Sequence, residues 1–139
     1  MDDFGHWLAG FIDGEGCFTI IRNANGGWEN KFFINVRDDE SEIIQDIQSR
    51  LQIGRTYHLA ARTYSKSKPQ ISWRVYRHDD CLALIDFLDQ YPLRAKKARD
   101  FAIWRKAVEA KDRKDFTLLG KLSQEIKDVR AYKPPTSGR

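Results

Sequence analysis

The chain has 139 residues, of which 41% are hydrophobic and 32% charged, so its composition excludes a disordered protein and fits one globular domain. No apolar run approaches the roughly 20 residues that span a bilayer, no basic region followed by an apolar stretch marks a secretion signal, and two distant cysteines make neither a disulfide scaffold nor a zinc site. The net charge of +4 is modest, but residues 1–16 carry four acids and no Lys or Arg, whereas residues 55–78 carry six basic residues and no acid, and residues 94–114 carry nine basic residues and three acids.

The first predicted element is a helix that begins at Asp2 or Asp3, because either side chain can accept a backbone N–H of the first turn. Its predicted buried stripe follows helical spacing and consists of Phe4, Trp7, Leu8, Phe11 and Ile12. The opposite face is small rather than charged and carries His6, Ala9, Gly10 and Asp13. Because small residues let another backbone approach closely, we expect a second helix against this face, from this chain or from another copy.

Two β-hairpins are predicted next, since the hydrophobic period changes to two and turn residues separate the alternating runs. Residues 25–27, Asn-Gly-Gly, form the first turn, and a longer loop joins residues 55–65 to residues 70–77 in the second hairpin. The side chains expected to point inward are Phe18, Ile20, Phe32, Ile34, Val36, Trp73 and Val75. Those expected to point outward include Thr19, Ile21, Asn23, Lys31, Phe33, Asn35, Arg37, Gln70, Ser72, Arg74 and Tyr76.

Four more helices are predicted, one between the hairpins and three after the second hairpin. The last three are a helix that Pro92 ends, a long basic helix from about Arg94, and a helix over about residues 116–129. Their expected inward residues are Ile43, Ile44, Ile47, Leu51, Leu82, Leu84, Ile85, Leu88, Phe101, Ile103, Trp104 and Val108. We expect residues 1–130 to form a single domain and residues 131–139 to form a flexible tail.

The order helix, hairpin, helix, hairpin, helices predicts an α/β fold of the α+β kind. A four-stranded antiparallel saddle-shaped sheet would have its helices packed on one face and leave the other face free. That face would carry Arg, Lys, Asn, Gln and Tyr side chains, which contact base edges and phosphates of DNA. Together with the two basic regions, this face favours the binding of a polyanion next to the acidic residues 1–16. The alternative is that the face is a plain solvated surface.

Residues 8–16, LAGFIDGEG, place two carboxylates among glycines at the end of an apolar helix, where the exposed backbone carbonyls already disfavour negative charge. This stretch resembles the nine-residue LAGLIDADG motif of homing endonucleases. Residues 92–99, PLRAKKAR, resemble the basic segment that follows the second hairpin in that family. The order of helices and strands also agrees with the family from about residue 4 to residue 110.

The resemblance implies a metal-dependent DNA endonuclease and assigns roles to individual residues. Glu15, beside Gly14, occupies the position of the metal-binding acid and is expected to hold Mg²⁺ or Mn²⁺ for phosphodiester hydrolysis, since oxygen ligands and phosphate favour these ions over zinc. Lys96 matches the family's lysine near the scissile phosphate, where it would polarise water or balance transition-state charge. Its neighbours Arg94 and Lys97 could take over this role.

Two positions depart from the family's usual residues, and a third has a structural role. The family most often has Asp where this chain has Glu15, so the metal spacing can differ. A water-orienting Gln often follows the second strand, and Asp38 aligns with it here as a catalytic candidate, with Arg37 one step away. Asp13 lies about 200° around the helix from Glu15, so we expect it to be a structural partner near a helix interface.

A single motif supplies one metal-binding acid, whereas cutting two strands needs two, and no second such run occurs in the 139 residues. We therefore expect a homodimer that reads a near-palindromic site. Its expected dimer contacts are Ala9, Gly10 and Asp13. The residues expected to bind DNA are Thr19, Ile21, Asn23, Lys31, Phe33, Asn35, Arg37, Arg55, Tyr57, Arg62, Gln70, Ser72, Arg74, Tyr76 and Lys97.

The sequence thus predicts a site-specific double-strand DNA endonuclease with no small-molecule cofactor and no membrane partner. Two alternatives on the same scaffold stay open. One is an RNA-binding intron maturase, which the basic region 94–114 keeps open, and the other is a non-catalytic DNA-binding regulator. We expect the protein at DNA inside a cell, in a bacterial or phage cytoplasm or in an organelle, encoded within an intron or intein.

Overall fold

A computed structural model describes residues 2–61, 67–131 and 134–135 of the chain. Helices and strands follow one another there in the predicted order. The helices are α1 (Asp2–Glu15), α2 (Ser41–Leu51), α3 (His78–Gln90), α4 (Lys97–Asp112) and α5 (Phe116–Arg130), and the strands are β1 (Gly16–Arg22), β2 (Trp28–Arg37), β3 (Arg55–Leu59) and β4 (Gln70–Val75). Within these residues no helix has the length and apolar character that crossing a membrane requires. Most of the predicted flexible tail lies outside the described residues.

The strands form one antiparallel sheet in the order β1-β2-β4-β3, so β2 and β4 are its central strands. Gly16 faces Ile34 at the start of β1, and Phe33 faces Arg74 on β4. Buried and more exposed residues alternate along β1 and β2, because successive side chains of a strand point to opposite faces. The helices cover the buried face, which confirms the predicted α+β architecture.

The core between the helices and the sheet is built on aromatic rings. The ring of Phe18 lies 4.7 Å from that of Phe32 and 5.3 Å from that of Trp104, and Phe32 meets Trp73 edge-on at 5.8 Å. All four rings are fully buried. Because burying one large apolar side chain stabilises the fold by about 1.5–3 kcal/mol, this cluster fixes the helix layer against the sheet. Every strand residue predicted to point inward is buried.

Two residues predicted to point inward are instead exposed. Trp7 exposes 45% of its surface and Leu82 exposes 42%. The buried face of α1 is turned away from Trp7, because the Tyr91 ring packs so closely on Gly5 that an added Cβ would lie 2.4 Å from it. On α3 the inward position is taken by Cys81, next to Leu82, and burial of its thiol raises the pKa of Cys81 to about 12.

Candidate active site and nucleic-acid interface

The C-terminal tip of α1 carries the candidate metal-binding acid. α1 ends at Glu15 and β1 begins at Gly16, where an added Cβ would lie 2.7 Å from the Phe32 ring and 2.9 Å from the carbonyl oxygen of Ile12. Glycine therefore permits the chain to pass from the helix into the sheet directly after the acid. Glu15 is exposed, and no group among the described residues bonds to its carboxylate. Its oxygens are accessible to a ligand from outside the chain.

Asp13 ties this tip to the segment that precedes α4. Its two carboxylate oxygens accept the backbone N–H groups of Arg94 at 2.8 Å and of Ala95 at 3.2 Å. Asp13 was also predicted at a dimer contact, and that stays a prediction, since these two bonds lie within one chain. The two bonds are compatible with a structural role for Asp13.

Tyr91 holds the other end of the same segment against α1. Its ring covers Gly5 and meets the His6 ring edge-on at 5.0 Å, and its hydroxyl donates to the carboxylate of Asp2 at 3.3 Å. Burial and the bond with Asp2 raise the pKa of Tyr91. This contact was not predicted from the sequence, although a glycine inside an apolar helix is a signal of close approach by another group.

Lys96 follows directly after the two residues that Asp13 holds. α4 begins at Lys97, not near Arg94, because the preceding residues turn past the end of α1. Lys96 is exposed, and its carbonyl accepts the N–H of Arg99 at 3.0 Å in the first turn of α4. A helix N-terminus attracts anions such as phosphate, which adds to the charge of the lysine. The Asp13 contact therefore brings the loop that carries Lys96 to the tip of α1.

Asp38 and Arg37 lie at the end of the sheet where α1 also ends. Gly16 faces Ile34, and β2 continues beyond this pair to Arg37. Asp38 then begins a short 3-10 turn with its side chain exposed. Arg37 forms an ion pair with Asp39 at 2.9 Å, and both side chains are about 60% exposed. Breaking such an exposed ion pair costs little free energy. The register is compatible with a role for Asp38 near the tip of α1, and that role stays a prediction.

The face of the sheet away from the helices carries most of the predicted DNA contacts. On this face the hydroxyl of Thr19 donates to the carbonyl of Lys31 at 2.8 Å, and the Lys31 ammonium lies 5.6 Å from the Phe33 ring. Asn23 lies in the loop after β1, and Arg62 lies outside the described residues. The other predicted contacts placed on or beside this face are Ile21, Asn35, Arg37, Arg55, Tyr57, Gln70, Arg74 and Tyr76.

Ser72 corrects one of these predictions, because it is fully buried although it occupies an outward position of β4. Its hydroxyl accepts the Nε–H of Arg74 at 3.1 Å, and it faces Tyr57 on β3. The Arg74 guanidinium lies 4.6 Å from the Tyr57 ring. The Tyr57 hydroxyl bonds to that of Tyr76 at 2.7 Å, and this bond raises the pKa of Tyr57. Ser72 is therefore covered by its neighbours and has no surface for DNA.

The exposed face of α1 also differs from the prediction. Ala9 was expected there, but it is only 4% exposed and packs in the core. Gly10 and Gly14 are exposed, and a Cβ on either would meet no atom within 4 Å. Trp7 stacks on Phe11 with ring centroids 5.1 Å apart. Two open glycines one helical turn apart, beside an aromatic pair, leave this face bare and largely apolar.

The donor groups at the tip of α1 fit a hard divalent cation in part. Within residues 2–61, 67–131 and 134–135, no three His, Cys, Asp or Glu side chains converge as metal ligands. Glu15 offers one accessible carboxylate, and the backbone carbonyl of Gly14 is a further oxygen donor. Oxygen donors suit Mg²⁺ or Mn²⁺ rather than zinc. A metal here therefore needs more oxygen ligands, from another acidic side chain, from DNA phosphates or from water.

Comparisons with known proteins agree with this architecture. The sequence model of the LAGLIDADG endonuclease family matches residues 8–108. The probable intron-encoded endonuclease Cox1-I1b of Schizosaccharomyces pombe is 30% identical over 141 residues, which cover 94% of this chain and 35% of that protein. This chain thus spans about a third of the length of that relative.

Solved structures with the same fold are also similar to this chain. The LAGLIDADG meganuclease I-AabMI, bound to uncleaved DNA, aligns with a TM-score of 0.70 and 28% identity over 80% of this chain and 38% of its own. The archaeal intron-encoded homing endonuclease I-Vdi141I, complexed with DNA, aligns with a TM-score of 0.76 and 22% identity over 98% of this chain and 91% of its own. Because the family model covers most of the residues and the arrangement of helices and strands agrees, the chain belongs to the LAGLIDADG endonuclease family.

Proposed function

We propose that this chain forms one half of a site-specific endonuclease that hydrolyses phosphodiester bonds of double-stranded DNA at a long, near-palindromic site. One observation carries the proposal. The bonds from Arg94 and Ala95 to Asp13 hold the loop of Lys96 at the tip of α1, where Glu15 is accessible. An accessible acid and a basic side chain near one edge of a cationic sheet suit chemistry on phosphate. The DNA-bound relatives support double-stranded DNA as the substrate.

Each candidate residue has a distinct task in this proposal. Glu15 and the carbonyl of Gly14 hold Mg²⁺ or Mn²⁺, and the bound ion supplies activation of water and stabilisation of the leaving oxygen. Lys96 places its ammonium beside the scissile phosphate, where it balances the negative charge that grows in the transition state. Asp38 orients the attacking water from the end of β2.

In our proposal, the second half of the enzyme is another copy of this chain. The bare face of α1 supports this, because Gly10 and Gly14 let a second helix approach closely and Trp7 can bury apolar surface. A symmetric contact of this kind would bring the two Glu15 tips together and supply the second carboxylate. Sedimentation of the protein bound to DNA tests this dimer. A single copy of the chain on a DNA site that is cut on both strands would contradict it.

The relatives also support a proposal for the setting of the activity. The name of the Schizosaccharomyces pombe relative describes an intron-encoded endonuclease, which supports a role in intron homing for this chain. We infer that the protein works at DNA inside a cell or organelle.

A randomised library of double-stranded DNA tests the nuclease directly. The chain is incubated with the library in Mg²⁺ or in Ca²⁺, which has a more flexible coordination geometry, and all new ends are sequenced. We expect paired ends at one related set of sites in Mg²⁺ and far fewer in Ca²⁺. Selective DNA binding without any ends would favour a regulator, and preferential binding of structured RNA would favour a maturase. Either outcome would overturn the proposal.

A further inference from the structure

Arg74 has a fixed orientation on the outer face of the sheet before any DNA is present. It lies on β4, a central strand, between Phe33 on β2 and Arg55 on β3. Its Nε–H donates to the hydroxyl of Ser72 at 3.1 Å, and its guanidinium lies 4.6 Å from the Tyr57 ring. These two contacts define both the position and the environment of the guanidinium.

The contacts also determine which donors of Arg74 stay available. Ser72 accepts from Nε, and no group among the described residues accepts from the two terminal nitrogens, Nη1 and Nη2. The ring of Tyr57 is itself anchored, because its hydroxyl bonds to that of Tyr76 at 2.7 Å. Arg74 therefore presents a planar, two-nitrogen edge whose side-chain entropy is already reduced.

Such an edge matches one base in particular. In the major groove, guanine offers two neighbouring acceptors, O6 and N7, and an arginine end that donates from both terminal nitrogens pairs with them. A phosphate needs no fixed plane, so a mobile Lys or Arg serves equally well there. Fixing the donor before binding lowers the ordering cost of the contact.

We propose that Arg74 reads a guanine in the major groove, once in each half of the target, and that Ser72 and Tyr57 are positioning residues that hold its guanidinium for this contact. This inference rests on the proposed binding of double-stranded DNA and adds the base that one residue recognises. Ser72 then contributes to specificity without touching DNA, which explains why a hydroxyl is buried on the binding face.

Selection of bound sequences from a randomised DNA pool in Ca²⁺ tests the proposal. For the unchanged chain we expect one position per half-site with guanine favoured about 5- to 150-fold, which corresponds to the 1–3 kcal/mol of a bidentate arginine–guanine pair. R74K keeps the charge but loses the planar edge, and should weaken this preference. R74Q should shift the same position toward adenine, which glutamine pairs with.

The positioning residues have their own variants. S72A should weaken the guanine preference at that position alone, while S72T, which keeps a hydroxyl, should retain it. Arg77→Gln, close by on the chain, removes the same charge and should leave the preference unchanged. Thermal unfolding of every variant checks that the fold is kept.

The outcomes separate this inference from the proposed function. If R74K, R74Q and S72A select the same bases as the unchanged chain, the inference is overturned while DNA recognition stands. If the unchanged chain selects no sequence, the proposed function fails and the inference fails with it. A weakened preference at one position in R74K and S72A, but not in S72T, supports the inference.

Discussion

The carboxylate of Asp13 accepts the backbone N–H of Arg94 at 2.8 Å, across 81 residues of sequence. With the second bond from Ala95, it fixes the loop that carries Lys96 against the tip of α1. We expect Asp13→Ala to lower the free energy of unfolding by about 1–2 kcal/mol, since bonds to a charged acceptor contribute about 1.5–3 kcal/mol and this one is partly exposed. Cleavage should fall with it, because Lys96 loses its support.

Urea unfolding measures the effect of Asp13→Ala, and Asp46→Asn serves as the matched control. Asp46 forms an exposed pair with Arg50 one turn along α2, and such a pair contributes no more than about 0.5 kcal/mol. Equal stability losses for the two variants would contradict the special role of Asp13.

Gly10→Leu should separate folding from pairing. Because a Cβ at Gly10 meets nothing within 4 Å, and Leu favours a helix more than Gly by up to about 1 kcal/mol, we expect the isolated chain to be as stable or more stable. The added side chain should block the close approach of a second helix and abolish the dimer and cleavage. Gly120→Leu, on the open side of α5, gives the same helix gain and should leave the dimer intact. Sedimentation of both variants measures dimer formation. A Gly10→Leu variant that still dimerises would contradict the proposed contact between the two α1 helices.

Lys96→Gln should lower the single-turnover cleavage rate roughly 100- to 1000-fold, the usual cost of one lost transition-state donor. DNA affinity should change little. Lys97→Gln removes the same charge one residue away, from a partly buried position, and should weaken binding more than the cleavage rate. A reversed pattern, with the rate lost in the Lys97 variant, would transfer the role to that neighbour.

Asp100 makes stability depend on pH. Burial raises the pKa of Asp100 above its usual 3.8, although Arg130, Arg99 and Lys97 nearby oppose this. The folded chain therefore holds this proton more tightly than the unfolded chain, and stability falls as pH rises from about 4 through the folded-state pKa. Asp100→Asn removes this loss, so its stability relative to the unchanged chain should be greater at pH 7 than at pH 4. Urea unfolding at the two pH values would contradict this if the difference were constant or reversed.

The alternating strand pattern predicted the sheet well because each strand has one buried face. Residues such as Phe18 and Trp73 could be placed inward from spacing alone. Helical spacing was less reliable, since it included Trp7 and Leu82 in buried stripes. The helix surface that is actually buried depends on partners distant in sequence, such as Tyr91 against Gly5, and no local period contains that information.

The candidate site was predictable where it follows from a motif and not where it follows from packing. The position of Glu15 at the end of a helix could be expected from the apolar run before it and the change of period after it. The engagement of Asp13 within its own chain could not, because its partners are backbone groups that any residue carries. Ser72 was misplaced for a similar reason, as its cover comes from the folded side chains of Arg74 and Tyr57.

Cleavage by the Glu15→Gln variant is the most direct test of the proposed nuclease. In that proposal the two Glu15 carboxylates of a dimer hold the metal ions that hydrolysis of the DNA requires. On a site selected by the unchanged chain, Glu15→Gln should bind with nearly unchanged affinity in Ca²⁺. Its single-turnover cleavage in Mg²⁺ should be slower by roughly a thousand-fold or more, since the metal contributes several kcal/mol to the transition state. Glu15→Asp keeps the charge and should retain cleavage. Cleavage by Glu15→Gln at the rate of the unchanged chain would contradict the account.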